Sequence, residues 1–315
     1  MKLSCKRGIG NAIPALRAST LCLQTPVDQG ECMRKRHNTR GVIGWLATGL
    51  LTVGLPAGAA ELSPKAADPL LVELHRQVSV AGGGTYLDYN EKIDGLKESD
   101  SGWLPNVQAS GSWLFDSGLF IEAGASYSFG DTDYALSGAG TPANDRQTHN
   151  DLVATYGKFG FSAAANDRVL FTPYLTYGFQ YWKREITFGA DYDRSYTTNY
   201  LGGGLMTDIG VAHNLVATID LMGASTFATE QEIDINAPGV DSFQFDTGDA
   251  PLARAELSLD YKLAPHFHVF TAARYTYIVR DEPLSPDAAL AGSGLSGYDS
   301  DSHEVNLSAG ARLTF

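Results

Sequence analysis

The chain has 315 residues, enough for one large domain or two ordinary ones. A hydrophobic content of 43% and a mean hydropathy of −0.13 exclude a bundle of membrane helices, and a formal net charge of −13 excludes phosphate-driven attraction to nucleic acid. Cys5, Cys22 and Cys32 all fall within the first 32 residues, so the chain beyond them holds neither a disulfide framework nor thiol chemistry.

Residues 1–32 show no sustained periodicity, and a complete export signal follows them. Met33 opens a basic run with Arg34, Lys35, Arg36 and Arg40, the apolar stretch Val42–Leu55 comes next, and Pro56-Ala57-Gly58-Ala59-Ala60 supplies small residues for cleavage. The apolar stretch is too short and glycine-rich for a permanent membrane helix. Residues 33–60 are therefore expected to be a signal peptide. Residues 1–32 then read as a mis-called upstream segment, with an extended signal as the alternative. Cleavage would leave 15 basic against 34 acidic residues, a net of −19. Residues 61–77 form a periplasmic lead-in, where Pro69–Arg76 reads equally as a short helix or a flexible approach to the first strand.

From 78 to 315 one local pattern repeats: apolar and polar residues alternate over segments of about ten residues, the period of a strand with two different faces. The spacing predicts ten strands, at 78–90, 103–115, 119–131, 151–162, 169–186, 195–210, 215–230, 251–263, 267–280 and 304–315. The last is the clearest, with Val305, Leu307, Ala309, Ala311, Leu313 and Phe315 interleaved by polar residues or glycine. Short turns at 116–118, 163–168, 211–214 and 264–266 alternate with longer polar connections at 91–102, 132–150, 187–194, 231–250 and 281–303. Short periplasmic turns and long outer loops are the asymmetry of outer-membrane barrels. The expected fold is all-β: a closed antiparallel up-and-down transmembrane barrel of ten strands in the cell outer membrane of a Gram-negative organism. Gly82-Gly83-Gly84 and Gly202-Gly203-Gly204 lack the helix and lysine of a phosphate loop and mark bends or close packing within strands.

The two faces differ in chemistry. One carries Trp113, Phe115, Tyr127, Phe129, Tyr177, Tyr181, Tyr261, Tyr275, Tyr277 and Phe315 near strand ends, as aromatic girdles require. The other carries Glu122, Lys158, Asp220, Arg254, Glu256, Asp260, Lys262, Arg274 and Arg312, with both signs interspersed. In a barrel this narrow such charges are expected to pair into a plug, with a narrow solute pore as the alternative.

The terminal Leu307–Phe315 resembles the last strand of outer-membrane proteins, in which a final Phe is the signal read by the barrel-assembly machinery. The ten-strand, five-loop plan, with Leu104-Pro105-Asn106-Val107 and Gly130-Asp131-Thr132-Asp133-Tyr134, resembles the omptin family of outer-membrane proteases and omptin-like barrels. Omptins activate a water between two Asp on one side of the barrel mouth and an Asp-Glu-His run opposite. The resemblance places Asp131 and Asp133 in the first half. Where the second half should fall, after the seventh strand, this chain reads Glu230-Gln231-Glu232-Ile233-Asp234-Ile235-Asn236 without histidine. Of the histidines only His149 and His303 belong to the outer side, and His303, within Asp299-Ser300-Asp301-Ser302-His303-Glu304, is the candidate base. The expected function is a surface protein with a structural or interaction role and no cofactor. Its expected partners are outer-membrane lipid, lipopolysaccharide reached through cations, and the assembly machinery. An omptin-like hydrolase and a narrow passive pore are the alternatives.

Overall fold

A computed structural model describes residue 64 and residues 67–93, 96–138, 146–188, 190–235, 243–282 and 298–315. The expected signal peptide 33–60, the stretch 1–32 and much of the loops at 139–145, 236–242 and 283–297 lie outside the described residues. The first element is helix α1 (Pro69–Leu74), followed by strands β1 (Gln77–Ile93), β2 (Leu96–Leu114), β3 (Leu119–Ser137) and β4 (Arg146–Phe161). Then come the short β5 (Ala163–Asn166), β6 (Val169–Phe188), β7 (Ala190–Ala212) and β8 (Leu215–Ile235). The short β9 (Phe243–Asp246), β10 (Pro251–Ala264), β11 (Phe267–Glu282) and β12 (Tyr298–Thr314) complete the set.

Ten of these strands form a closed antiparallel barrel. Each pairs with its sequence neighbours, and β12 returns to β1 in an unbroken register from Gln77↔Thr314 to Ile93↔Tyr298. The extras are short: β5 continues β4 along β6, and β9 pairs with the outer end of β8. Closure satisfies the backbone of both terminal strands, which lipid could not do. At the closing seam the strands approach so tightly that a Cβ on Gly83 would sit 2.0 Å from the Leu307 carbonyl oxygen, and one on Gly310 2.2 Å from that of Val80.

Parity decides what each face meets. Val80, Val107, Leu175, Leu201, Leu257 and Leu307 stand exposed on the outside, where lipid replaces water. Exposed aromatics bound this band, with Trp113, Phe115, Phe161, Tyr261, Phe267 and Phe315 toward the short turns and Trp103, Tyr127, Phe129, Tyr177, Phe227 and Tyr275 toward the loops. The short-turn end is accordingly the periplasmic one.

The barrel is taller than the alternation predicts, and nearly all the excess lies beyond the outer girdle. β2 begins at Leu96 rather than 103, β3 ends at Ser137 rather than 131, β4 begins at Arg146 rather than 151, and β12 begins at Tyr298 rather than 304. The expected loop 91–102 is mostly strand, with Ile93 paired to Leu96. Above the lipid the outward face meets water and turns polar, as at Ser99, Asp131, Asp133 and Asp301, so the two faces no longer differ in sequence.

Candidate functional site

The lumen has three storeys. At the periplasmic end lies helix α1, which enters the barrel mouth. Asp68 caps it by accepting the Leu70 N–H at 2.9 Å, and Pro69 starts it. The helix reading of Pro69–Arg76 thus describes this segment, and the helix is a plug. Leu70, Leu71 and Leu74 are buried against an apolar ring of lumenal side chains, including Leu114, Phe120, Leu170, Met206 and Val216. Polar bonds fix its rim. Lys262 donates to Glu73, Thr314 donates to the same carboxylate at 2.7 Å, and the His75 imidazole lies 2.7 Å from Asp208.

The middle storey holds the charges. Glu122, Lys158, Asp220, Arg254, Glu256, Asp260, Lys262, Arg274 and Arg312 all stand on inward-facing positions, alternating with the lipid-facing residues of their strands. Lys158 lies 2.8 Å from Asp220 and 3.4 Å from Glu122, and the Tyr156 and Tyr174 hydroxyls donate to Glu122 and Asp220 at 2.7 and 2.5 Å. Arg274 donates to Glu256 at 2.5 Å, and Arg312 reaches Asp260 at 3.5 Å, beside His268 at 2.6 Å. Arg254 turns to hydroxyls, donating to Thr276 and Tyr200 at 3.3 and 3.4 Å. Between these groups lie two adjoining cavities of about 90 and 40 Å³, sharing Gln108, Ser126 and Arg274 as lining.

The outer storey was not singled out by sequence reasoning. Arg184 (0% exposed) from β6 reaches Glu98 at 2.8 Å and Asp100 at 2.8 Å on β2, between the rings of Tyr89 and Trp182. Arg194 on β7 spans the barrel to Glu91 on β1 at 3.2 Å and to Glu98 at 3.1 Å. Thr132 donates to Asp100, and Leu87, Leu104 and Tyr196 fill the remaining space. The signal that could have found this cluster is the continuation of strand parity from Thr85 through Leu87 and Tyr89 to Glu91. It was lost because 91–102 reads as a polar loop.

The structure does not bring Asp131, Asp133 and His303 together. All three share the parity of the lipid-facing residues below them and point away from the lumen, above the outer girdle. Asp131 instead lies 2.8 Å from His149, its cross-strand neighbour on β4. That hydrogen bond, set against slight desolvation, raises the half-exposed His149 imidazole above its ordinary value and favours the protonated form, which cannot act as a base. His303 accepts or donates at 2.7 Å to the Tyr275 hydroxyl and stacks on Tyr277 at 4.7 Å. The Glu230–Asp234 stretch is turned as well. A bulge at Ala228, with φ of 46°, reverses the parity of β8, so that Gln231 enters the lumen while Glu230, Glu232 and Asp234 face water. Among the described residues no three His, Cys, Asp or Glu side chains converge to hold a metal ion.

The E. coli outer membrane protease OmpT has the same architecture. The likeness covers 76% of this chain and 97% of that one, with a TM-score of 0.58 at 8% identity. This is a ten-stranded barrel with an omptin-like fold. At this identity the likeness is one of fold alone. The omptin-like barrel also aligns weakly with the β domain of the Bordetella autotransporter BrkA (11% identity, TM-score 0.40, 76% and 100% coverage). Its alignment with OprG of Pseudomonas aeruginosa (14% identity, TM-score 0.34, 76% and 97% coverage) is weaker still. No family model and no curated protein sequence matches it.

Proposed function

We propose that this omptin-like barrel is a sealed surface protein, exported by the 33–60 signal and working from its outer face, with neither solute passage nor catalysis in its lumen. One observation carries the reading: side chains and helix block the lumen at both ends, with Arg184 and Arg194 bridging opposite walls on the outside and α1 seated on the inside. Paired and hydrogen-bonded charges are what a narrow polar interior needs to stay folded. The outward Asp131, Asp133, Asp151 and Glu185 form a net acidic collar just above the aromatic belt, in which His149 pairs with Asp131 and Lys183 with Glu185. Such a collar suits lipopolysaccharide through bridging divalent cations, an association that chelators should weaken. Refolded protein in planar bilayers is expected to show no conductance steps above background, and no cleavage of a peptide library. Reproducible ohmic steps from the intact protein would overturn the reading.

A further inference from the structure

The lumen changes character along its axis. Its periplasmic mouth is ringed by Leu114, Phe120, Leu170, Met206 and Val216, apolar side chains turned into an otherwise polar interior. The leucines of α1 cover that ring, with Ala67 and Val72 beside them and the His75 ring edge-on to Phe120 at 5.0 Å. Above the helix the wall carries Ser79, Ser110, Gln108 and Ser126 among the paired charges, around the cavity of about 90 Å³. Gln77, 6% exposed, has a side-chain oxygen without a hydrogen-bond partner and also lines this cavity. A polar space of this size with an unpaired acceptor is suited to ordered water. The chamber wall is therefore compatible with water before anything moves.

The two closures differ in kind. The outer one is made of side chains on the barrel strands themselves, and Arg184 leaving Glu98 and Asp100 would strand two buried carboxylates. The inner one is a six-residue helix that belongs to no strand. A helix this short is unstable alone and owes its order to its seat. It is held there by three leucines and by polar bonds at its rim: Glu73 with Lys262 and Thr314, His75 with Asp208, and the Asp68 N–H with the Asp167 carbonyl at 2.7 Å.

We propose that α1 is the inner gate of the lumen, a self-plug that withdraws toward the periplasm and opens the hydrated chamber from that side while the Arg184–Arg194 cluster keeps it shut from outside. The proposal rests on the sealed-lumen reading. Opening exposes the apolar ring and releases Lys262, Thr314 and Asp208 from their bonds to Glu73 and His75.

The test uses the absence of cysteine from residues 33–315. Ser110→Cys puts one thiol in the chamber wall, and its reaction with a small charged methanethiosulfonate reports access. The intact protein should react slowly. Adding Leu71→Asp, which sets a charge in the apolar seat, or Glu73→Ala should speed the reaction at least tenfold while circular dichroism and heat-modifiable mobility stay unchanged. A slow reaction in both folded variants overturns the gate and leaves the sealed lumen standing. A fast reaction in the intact protein together with conductance steps removes the sealed lumen itself. Hydrogen exchange on the unsubstituted protein provides a measurement independent of the variants. The amides of Leu71 to His75 should exchange at least tenfold faster than those of Thr172 and Thr176 in the barrel wall. Equal protection would make α1 a fixed part of the barrel and end the proposal.

Discussion

Arg184 is the residue on which the outer closure turns. Its guanidinium is fully buried with Glu98 and Asp100, and removing it leaves both carboxylates without their shared cation. Breaking a buried ion pair from one side costs about 3–5 kcal/mol. Arg184→Met is therefore expected to lower the unfolding free energy of the refolded protein, measured by urea titration, by that much. Combining it with Glu98→Gln and Asp100→Asn should recover most of the loss, because no charge is then stranded. His149 makes the opposite case, a surface pair of small energetic weight. Its pKa is raised from 6.5 by the hydrogen bond to Asp131, so the interaction is fully present below that value and is lost as pH rises through the higher folded value. Asp131→Asn should bring the imidazole titration, followed by NMR, back toward 6.5, with little change in stability. An unchanged titration would mean that Asp131 does not hold the ring.

Helix α1 shows what an element gains from its surroundings. Each of Leu70, Leu71 and Leu74 contributes about 1.5–3 kcal/mol by leaving water, enough to order a turn too short to persist alone. Glu73 adds an electrostatic hold. Partial burial alone would raise its carboxyl, but hydrogen bonds from Lys262 and Thr314, the Lys262 charge and contact with His268 outweigh it and bring the value from 4.5 down to about 2. A depressed carboxyl stabilises above its unfolded value and loses that contribution as pH falls from about 4.5 toward about 2. Exchange protection of the α1 amides, corrected for intrinsic rates, should fall between pH 5 and 2.5, and less steeply in Glu73→Gln. Identical pH profiles would show that the hold is apolar alone. The bulge at Ala228 works on the same scale: one extra residue sends three carboxylates into water and avoids burying them in a lumen already charged.

At the scale of the whole molecule, β1 and β12 must meet for any of these storeys to exist. Their register runs the full height of the barrel, and the Phe315 N–H bonds the Arg76 carbonyl at 2.9 Å, tying the chain end to the segment that follows α1. Phe315 is also the residue that resembles the recognition signal of the assembly machinery. Phe315→Ala should reduce the yield of heat-modifiable barrel in cells several-fold while leaving refolding in detergent nearly unchanged. Equal losses in both would assign Phe315 to stability instead of assembly.

Sequence alone determined the closed barrel, because lipid outside and a polar lumen inside force every second residue to change character. That parity was enough to place Glu122, Lys158 and Arg274 on one face and Val305 and Leu307 on the other. The outward setting of Asp131, Asp133 and His303, which family resemblance had joined in one site, came only with the extension of β3 and β12 above the membrane. Only the tertiary structure decided the outer cluster, the bulge in β8 and the seat of α1. Those features join residues distant in sequence, such as Glu91 with Arg194 and Glu73 with Lys262. Above the membrane both faces are polar, and inside the mouth a helix replaces solvent, so no local pattern records who meets whom.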